Sequence, residues 1–126
     1  MAYDEYQAER VDQVLKDRKV PFFQKKMMGG LIFMVNEKMC VGLDIDKETG
    51  KDRLMVRIGK EAYEKALEER GAREMDFTGR VMRGFLFIDP EGWDQQDDLE
   101  FWVDKALAYN KDAPKSKPKR KKKGNA

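Results

Sequence analysis

The chain has 126 residues, a length typical of a single folded domain. Charged residues make up 40% of it, but another 40% are hydrophobic and occur in periodic runs, which favours a folded body over a disordered one. Cys40 is the only cysteine and histidine is absent, so an intramolecular disulfide, a zinc-binding Cys/His cluster and a Ser-His-Asp or Cys-His catalytic site are excluded.

The charge is divided unevenly along the chain. The net charge is +2, but residues 111–126 carry eight Lys or Arg and one Asp, which leaves residues 1–110 at −5. We therefore expect a folded domain over residues 1–110 and a disordered basic tail over residues 111–126. The segment MAYDEYQAER lacks the regions of a signal peptide, and no apolar run approaches the roughly 20 residues that span a bilayer. A cytoplasmic protein without a membrane partner is expected.

The first predicted element is an amphipathic helix over residues 4–18, where Val11, Val14 and Leu15 recur at helical spacing. Pro21 ends it, because proline disfavours the helical region for its predecessor and donates no backbone hydrogen bond. Three strands rich in Val, Ile, Leu, Met and Phe are then predicted, at about residues 31–36, 38–44 and 53–58. They form an antiparallel meander with a tight connection at Asn36-Glu37.

The second half of the chain contains a helix, two strands and another helix. The second helix is predicted around the stripe of Ala62, Tyr63, Ala66 and Leu67, with Gly71 at its end. Two short strands follow, at about residues 73–78 and 83–88, and the last helix is predicted to be capped by Asp94 and to end near Asn110. This order predicts an α+β fold, a two-layer α-β3-α-β2-α sandwich with one antiparallel sheet of about five strands.

Two groups of acidic residues are candidate sites for chemistry. Asp44, Asp46, Glu48 and Asp52 surround one loop, but their spacing fails the EF-hand pattern, so solvated loop charges are the preferred interpretation. The second group is Asp89, Glu91, Asp94, Asp97 and Asp98. Helix caps and partners of the helix dipole explain it better than acid–base catalysis does. We therefore predict no catalytic residue, no metal site and no cofactor.

Three uncharged side chains are further candidates. Cys40 lies inside the predicted strand MCVGL, a position that favours a small buried hydrophobe over a nucleophile. Trp93 and Trp102 could stack on nucleic-acid bases, but Trp102 lies on the apolar stripe of the last helix, which indicates a core position.

Two sets of residues are candidates for contact with a protein partner. One is the segment of Met27, Met28, Gly29 and Gly30, because methionine adapts to varied apolar surfaces and glycine allows close backbone approach. The alternative is a bent strand entry whose methionines fill the core. The other set is Arg57, Arg80 and Arg83, which could project toward an acidic partner or could only solubilise the surface.

The basic tail is the candidate for contact with nucleic acid. Its seven basic residues are Lys115, Lys117, Lys119, Arg120, Lys121, Lys122 and Lys123. They can bind phosphates by counterion release, and because no base-reading motif accompanies them such binding would be weakly selective. A solubilising tail without a specific partner is the alternative.

Four segments resemble a known family: KKMMGGLIFMVNEKMCVG at residues 25–42, LMVRIG at 54–59, MDFTG at 75–79 and RGFLFID at 83–89. Over roughly residues 3–110 the chain is similar to the N-terminal domain of the TfoX/Sxy competence regulators. The resemblance implies the same α+β arrangement. It also implies transcriptional co-activation together with a cyclic-AMP receptor-type transcription factor. Full-length regulators carry a helical C-terminal domain, where this sequence has its basic tail.

The function expected from the sequence is that of a non-enzymatic binding module, with transcription-related regulation as its expected role. Its body would contact a protein partner, such as a transcription factor, and its tail would contact nucleic acid. Two alternatives remain open. One is a small chaperone or assembly factor, which would need an exposed apolar patch of more than a few hundred Å². The other is an enzyme that uses the acidic cluster, or Arg57 and Arg83, on an anionic substrate.

Overall fold

The structure, a computed structural model, describes residues 3–27, 29–77 and 79–113, with the backbone alone at residue 77. In these ranges the chain forms three α-helices, six strands and a short 3₁₀ turn. In chain order they are α1 (Glu5–Asp17), β1 (Phe22–Met27), β2 (Gly30–Val35), β3 (Lys38–Ile45), β4 (Asp52–Arg57), α2 (Lys60–Ala66), β5 (Ala72–Phe77), β6 (Arg80–Ile88), the 3₁₀ turn (Pro90–Gly92) and α3 (Gln96–Asn110). No described helix is both long and apolar enough to cross a membrane.

The strands form one antiparallel sheet in the order β1-β2-β3-β4-β6-β5, and the predicted α+β class is confirmed. The sheet has one strand more than predicted. The additional strand is β1, an edge strand whose four central residues are exposed. Because neither of its faces is fully buried, its sequence FFQKKM lacks the apolar alternation that marks a half-buried strand.

Helices α1 and α3 differ in how their N-termini are capped. Asp4 caps α1, since its Oδ1 accepts hydrogen bonds from the backbone N–H groups of Tyr6 and Gln7 at 2.8 and 3.3 Å. The predicted cap of α3 is wrong: α3 begins at Gln96, and Asp94 lies before its N-cap position. The 3₁₀ turn at Pro90–Gly92 and the bend after it occupy this part of the chain, so the N-cap position falls one residue later, at Gln95.

The main core lies between the helices and one face of the sheet. The sheet contributes Val, Leu, Ile and Phe at alternating positions of its four central strands, and α1 and α3 contribute their apolar stripes. Trp102 lies in this core, and its Nε1 donates to the Gly92 carbonyl oxygen at 3.0 Å. Trp93 is 1% exposed. The possibility that Trp93 stacks on nucleic-acid bases is therefore excluded by its burial.

The other face of the sheet carries no helix and has a different composition. Its apolar cluster contains every methionine of the described chain, namely Met27, Met34, Met39, Met55, Met75 and Met82. Ile32, Phe85 and Phe87 complete the cluster. Met27 in edge strand β1 and Met75 in edge strand β5 line the same small cavity, so the sheet is curled and its two edges approach each other on this face.

The last turn of α3 is tied to the β2–β3 hairpin by a buried polar network. Lys38 Nζ donates to the Asn110 carbonyl oxygen at 2.8 Å, which places a positive charge at the negative end of the helix dipole. Asn110 Nδ2 donates to the Val35 carbonyl oxygen at 3.1 Å, and Asn36 Nδ2 donates to Asn110 Oδ1 at 3.0 Å. These bonds fix the end of the helix that carries Tyr109.

Candidate functional site

An open groove of about 790 Å³ lies beside the last turns of α3. Its other walls are the connection from β4 to α2 and the middle of β6. Its apolar lining consists of Ile58, Ala62, Phe85, Ala108 and Tyr109. This volume is within the range of clefts that bind small ligands or short peptide segments.

Two glycines with positive φ form the base of the groove. Gly84 in β6 has φ +95°, and Gly59 after β4 has φ +86°, both in the region that favours glycine. The Gly84 carbonyl oxygen accepts from the N–H groups of Ile58 and Gly59 at 2.8 and 3.1 Å. The Tyr109 ring lies on Gly59, where an added Cβ would be 2.5 Å from the ring Cδ1 atom. The glycines thus allow the β4–α2 connection and α3 to meet.

Arg57, the last residue of β4, is held between two aromatic rings of the groove. Its guanidinium carbon is 5.4 Å from the centroid of Phe85 and 5.7 Å from that of Tyr109, which is within the range of a cation–π contact. No described residue accepts a hydrogen bond from its guanidinium or pairs with it as a carboxylate. The other part-buried arginines of the described chain do donate to protein oxygen atoms; they are Arg10, Arg18 and Arg53.

The rim of the groove carries charges of both signs. Lys60, Arg83 and Lys105 add three positive charges to that of Arg57, while Glu61 and Asp112 add two negative charges. Arg83 makes one long ion pair, 3.7 Å, with Glu64, and both side chains are largely exposed. A pair of this kind contributes little to stability and leaves Arg83 available. The groove therefore has a modest excess of positive charge.

The predicted protein-contact residues that the structure describes lie in four places. Arg57 and Arg83 share the groove, while Arg80 is exposed at the start of β6 and does not line it. Met27 and Gly30 line the small cavity on the helix-free face, and a Cβ on Gly30 would collide with the Leu43 carbonyl oxygen. Gly29 lies in the exposed β1–β2 turn with φ +75°. Met28 lies outside the described residues.

Sequence reasoning did not identify the remaining groove residues. Tyr109 and Lys105 come from α3, Asp112 follows the end of that helix, and Gly59 and Lys60 come from a segment more than forty residues earlier. Gly59 is the last residue of the segment LMVRIG and Gly84 is the second residue of RGFLFID, two of the segments that carry the family resemblance. The presence of a glycine in both segments was the available signal of a close backbone approach.

The acidic loop is part of a chain of ion pairs and is not simply solvated. Arg53 donates to both carboxylate oxygens of Asp44 at 3.0 and 2.8 Å, and its guanidinium carbon is 3.6 Å from the Phe87 centroid. Asp46 lies 3.6 Å from Arg53 and 3.4 Å from Arg73. Arg73 in turn donates to both oxygens of Asp89 at 2.7 and 2.8 Å. Pairs of this geometry orient both partners.

Cys40 has the environment that its strand position predicts. It is 1% exposed, and burial raises the pKa of its thiol to about 12. A thiol with such a pKa is almost entirely protonated near neutral pH and is a poor nucleophile. The described residues also hold no group of three or more Cys, Asp or Glu side chains arranged to bind a metal ion.

The predicted nucleic-acid residues, Lys115 to Lys123, lie outside the described residues. The described chain ends at Ala113, which is 5% exposed and follows Asp112 at the rim of the groove. The basic segment is therefore attached to the body beside the groove.

The chain was compared with known proteins. Residues 17–109 match the family of the TfoX N-terminal domain. Searches of curated proteins and of solved structures gave no match. The matched range covers most of the chain and contains every groove residue except Asp112. The chain therefore belongs to the TfoX N-terminal domain family.

Proposed function

We propose that this protein is a non-enzymatic binding module with a regulatory role in the cytoplasm, and that it contacts a protein partner through the groove beside α3. Membership of the TfoX N-terminal domain family supports a regulatory role. The observation that carries the proposal is Arg57. A part-buried guanidinium held between Phe85 and Tyr109, without an anionic partner among the described residues, retains its capacity to bind an anion.

The basic tail supplies the second part of the proposed function. Its seven Lys and Arg residues, from Lys115 to Lys123, would hold nucleic acid weakly and without sequence preference. A module of this kind would bring its protein partner, a transcription factor in the competence regulators that the chain resembles, close to nucleic acid.

The alternatives have less support in the described residues. A chaperone needs a contiguous apolar patch. The exposed large hydrophobic residues, however, lie on four different elements: Tyr6 on α1, Phe23 on β1, Val81 on β6 and Phe101 on α3. For the enzyme, the described lining of the groove includes no cysteine, serine or threonine, the usual nucleophiles of acyl transfer.

Crosslinking with mass spectrometry tests the proposal, because Lys60 and Lys105 at the rim react with an amine-specific reagent. In an extract of the source cells, we expect a protein partner to crosslink to these two lysines. Replacing Arg57 with Gln should lower the crosslinked yield about tenfold, as expected when a charge-assisted hydrogen bond is lost. The matched control is Arg80→Gln, which removes an exposed arginine of β6 outside the groove.

The lysines at which the crosslinks form show whether the partner binds in the groove or elsewhere. If they form mainly at Lys47 and Lys51, which are exposed in the β3–β4 loop, and Arg57→Gln does not change them, the groove is not the partner site. Thermal denaturation of the Arg57→Gln protein shows whether it is folded. If it is not, Arg57→Lys keeps the charge but removes the planar guanidinium and serves as the second variant.

A further inference from the structure

We infer that the partner segment bound by the groove is an acidic peptide, with one carboxylate on the Arg57 guanidinium and an apolar side chain beside it. This inference rests on the proposed function and names the chemistry of the ligand. It requires a site with one oriented cation, an apolar wall and a modest excess of positive charge interrupted by acidic residues, and the groove has all three features.

The first step is the orientation of the cation. The contacts of Arg57 with Phe85 and Tyr109 restrict its guanidinium, so less rotamer entropy is lost when an anion binds. The same chain shows what such a guanidinium does when a carboxylate is within reach. Arg53 lies over the Phe87 ring and donates two hydrogen bonds to Asp44. Arg57 has two looser aromatic contacts, at 5.4 and 5.7 Å from the ring centroids, and the described residues do not supply a carboxylate for it.

The second step is the choice between a peptide and a nucleic acid as the ligand of the groove. A nucleic-acid strand carries a regular series of phosphates and needs a groove of continuous positive charge. Here Glu61 and Asp112 lie at the rim among the cations, so a polyanion would meet repulsion at two positions. Nor does Tyr109 offer a free platform for a base, because one face of its ring lies on Gly59.

The third step is the apolar wall. Ile58, Ala62 and Ala108 line the groove beside the aromatic rings, and they can bury one apolar side chain next to the carboxylate. Lys60 and Lys105 can approach a second acidic residue of the peptide, while Glu61 and Asp112 disfavour a longer run of acids. The ligand is thus a short segment of mixed acidic and apolar residues.

The test is a titration of the ¹⁵N-labelled full chain, followed by the backbone amide signals of Gly59, Gly84 and Tyr109. The probes are the amidated peptide DLEFDLE, its uncharged counterpart NLQFNLQ, its less apolar counterpart DSEGDSE, a twelve-residue oligothymidylate and inorganic phosphate. We expect DLEFDLE to shift the groove amides at the lowest concentration. Arg57→Gln should weaken its binding about tenfold or more, and Arg80→Gln should not change it.

Each other result contradicts the inference in a recognisable way. If NLQFNLQ binds equally well, or if Arg57→Gln leaves the DLEFDLE shifts unchanged, no carboxylate is recognised at Arg57. If oligothymidylate or phosphate shifts the groove amides more strongly, the ligand is a phosphate. A DLEFDLE peptide with a free C-terminus that binds more tightly than the amide identifies a terminal carboxylate as the source of the anion.

Failure of this inference can be separated from failure of the proposed function. If no peptide shifts the groove amides but an Arg57-dependent crosslink to Lys60 or Lys105 is found in the extract, the groove is a partner site with a ligand of different chemistry. If neither is found, the proposed function is wrong as well.

Discussion

At the scale of single residues, the clearest local strain lies in the β2–β3 turn. Asn36 and Glu37 have φ values of +53° and +65°, so both central positions of this two-residue hairpin are left-handed. Asparagine tolerates this region, and here its side chain also bonds to Asn110. The Glu37 side chain makes no described hydrogen bond that would offset its left-handed backbone. The second central position of this turn type favours glycine.

Replacing Glu37 with Gly should therefore stabilise the protein by up to about 1 kcal/mol, because relief of the left-handed strain exceeds the added freedom of the unfolded chain. Glu37→Ala is the matched control. It removes the same charge but keeps the Cβ, so no gain is expected. Urea denaturation followed by circular dichroism measures both free energies of unfolding. Equal stabilisation by the two variants would show that the charge of Glu37 matters and its backbone does not.

At the scale of elements, most of the helices and strands could be predicted from sequence patterns. Periodicity and apolar runs located the three helices and five strands, because most of these bury one or both faces in a core. They failed at β1, whose central residues are exposed, and at the start of α3, where a 3₁₀ turn precedes the helix. They identified Arg57 and Arg83 as candidates but not Tyr109, because contacts between β4 and α3 depend on how the elements pack and leave no local periodicity.

The ion-pair chain joins elements that are distant in sequence, and Asp46 is its central carboxylate. The pKa of Asp46 is lowered, mainly by the hydrogen bond that its Oδ1 accepts from the Glu48 backbone N–H at 2.9 Å, with further contributions from Arg53 and Arg73. A carboxylate whose folded pKa lies below its unfolded pKa adds stability at pH values above the unfolded value. This stability is lost as pH falls through the folded pKa.

Asp46→Asn should therefore lower the free energy of unfolding by about 1 kcal/mol at pH 7. The difference from the wild type should shrink as pH falls below about 4, where the unfolded Asp46 is protonated. Chemical denaturation at pH 7, 5 and 3 measures this trend. Glu48→Gln is the control, because the exposed Glu48 contributes its backbone N–H and makes no described ion pair. A constant difference at all three pH values would mean that Asp46 acts through packing and not through its charge.

At the scale of the whole molecule, the two proposed binding functions lie on parts of opposite charge. Residues 1–110 carry a net charge of −5, yet the groove concentrates four cations against two anions. The tail carries the remaining positive charge and is joined to the body beside the groove, after Ala113. Since the acidic body repels a polyanion, the tail would supply the attraction to nucleic acid in the proposed function, and the groove would remain available for a protein segment.

The tail can be tested separately from the groove with two full-length variants. In the first, all seven basic residues of the tail are replaced with Gln; the second is Arg57→Gln. If each tail charge meets one phosphate of duplex DNA, the logarithm of the affinity should fall with the logarithm of salt concentration with a slope of about −6. We expect the tail variant to lose both the binding and the slope, measured by fluorescence anisotropy from 50 to 300 mM salt, and Arg57→Gln to keep both. Binding that survives in the tail variant but weakens in Arg57→Gln would assign the nucleic acid to the groove, and would then contradict the acidic peptide as its ligand.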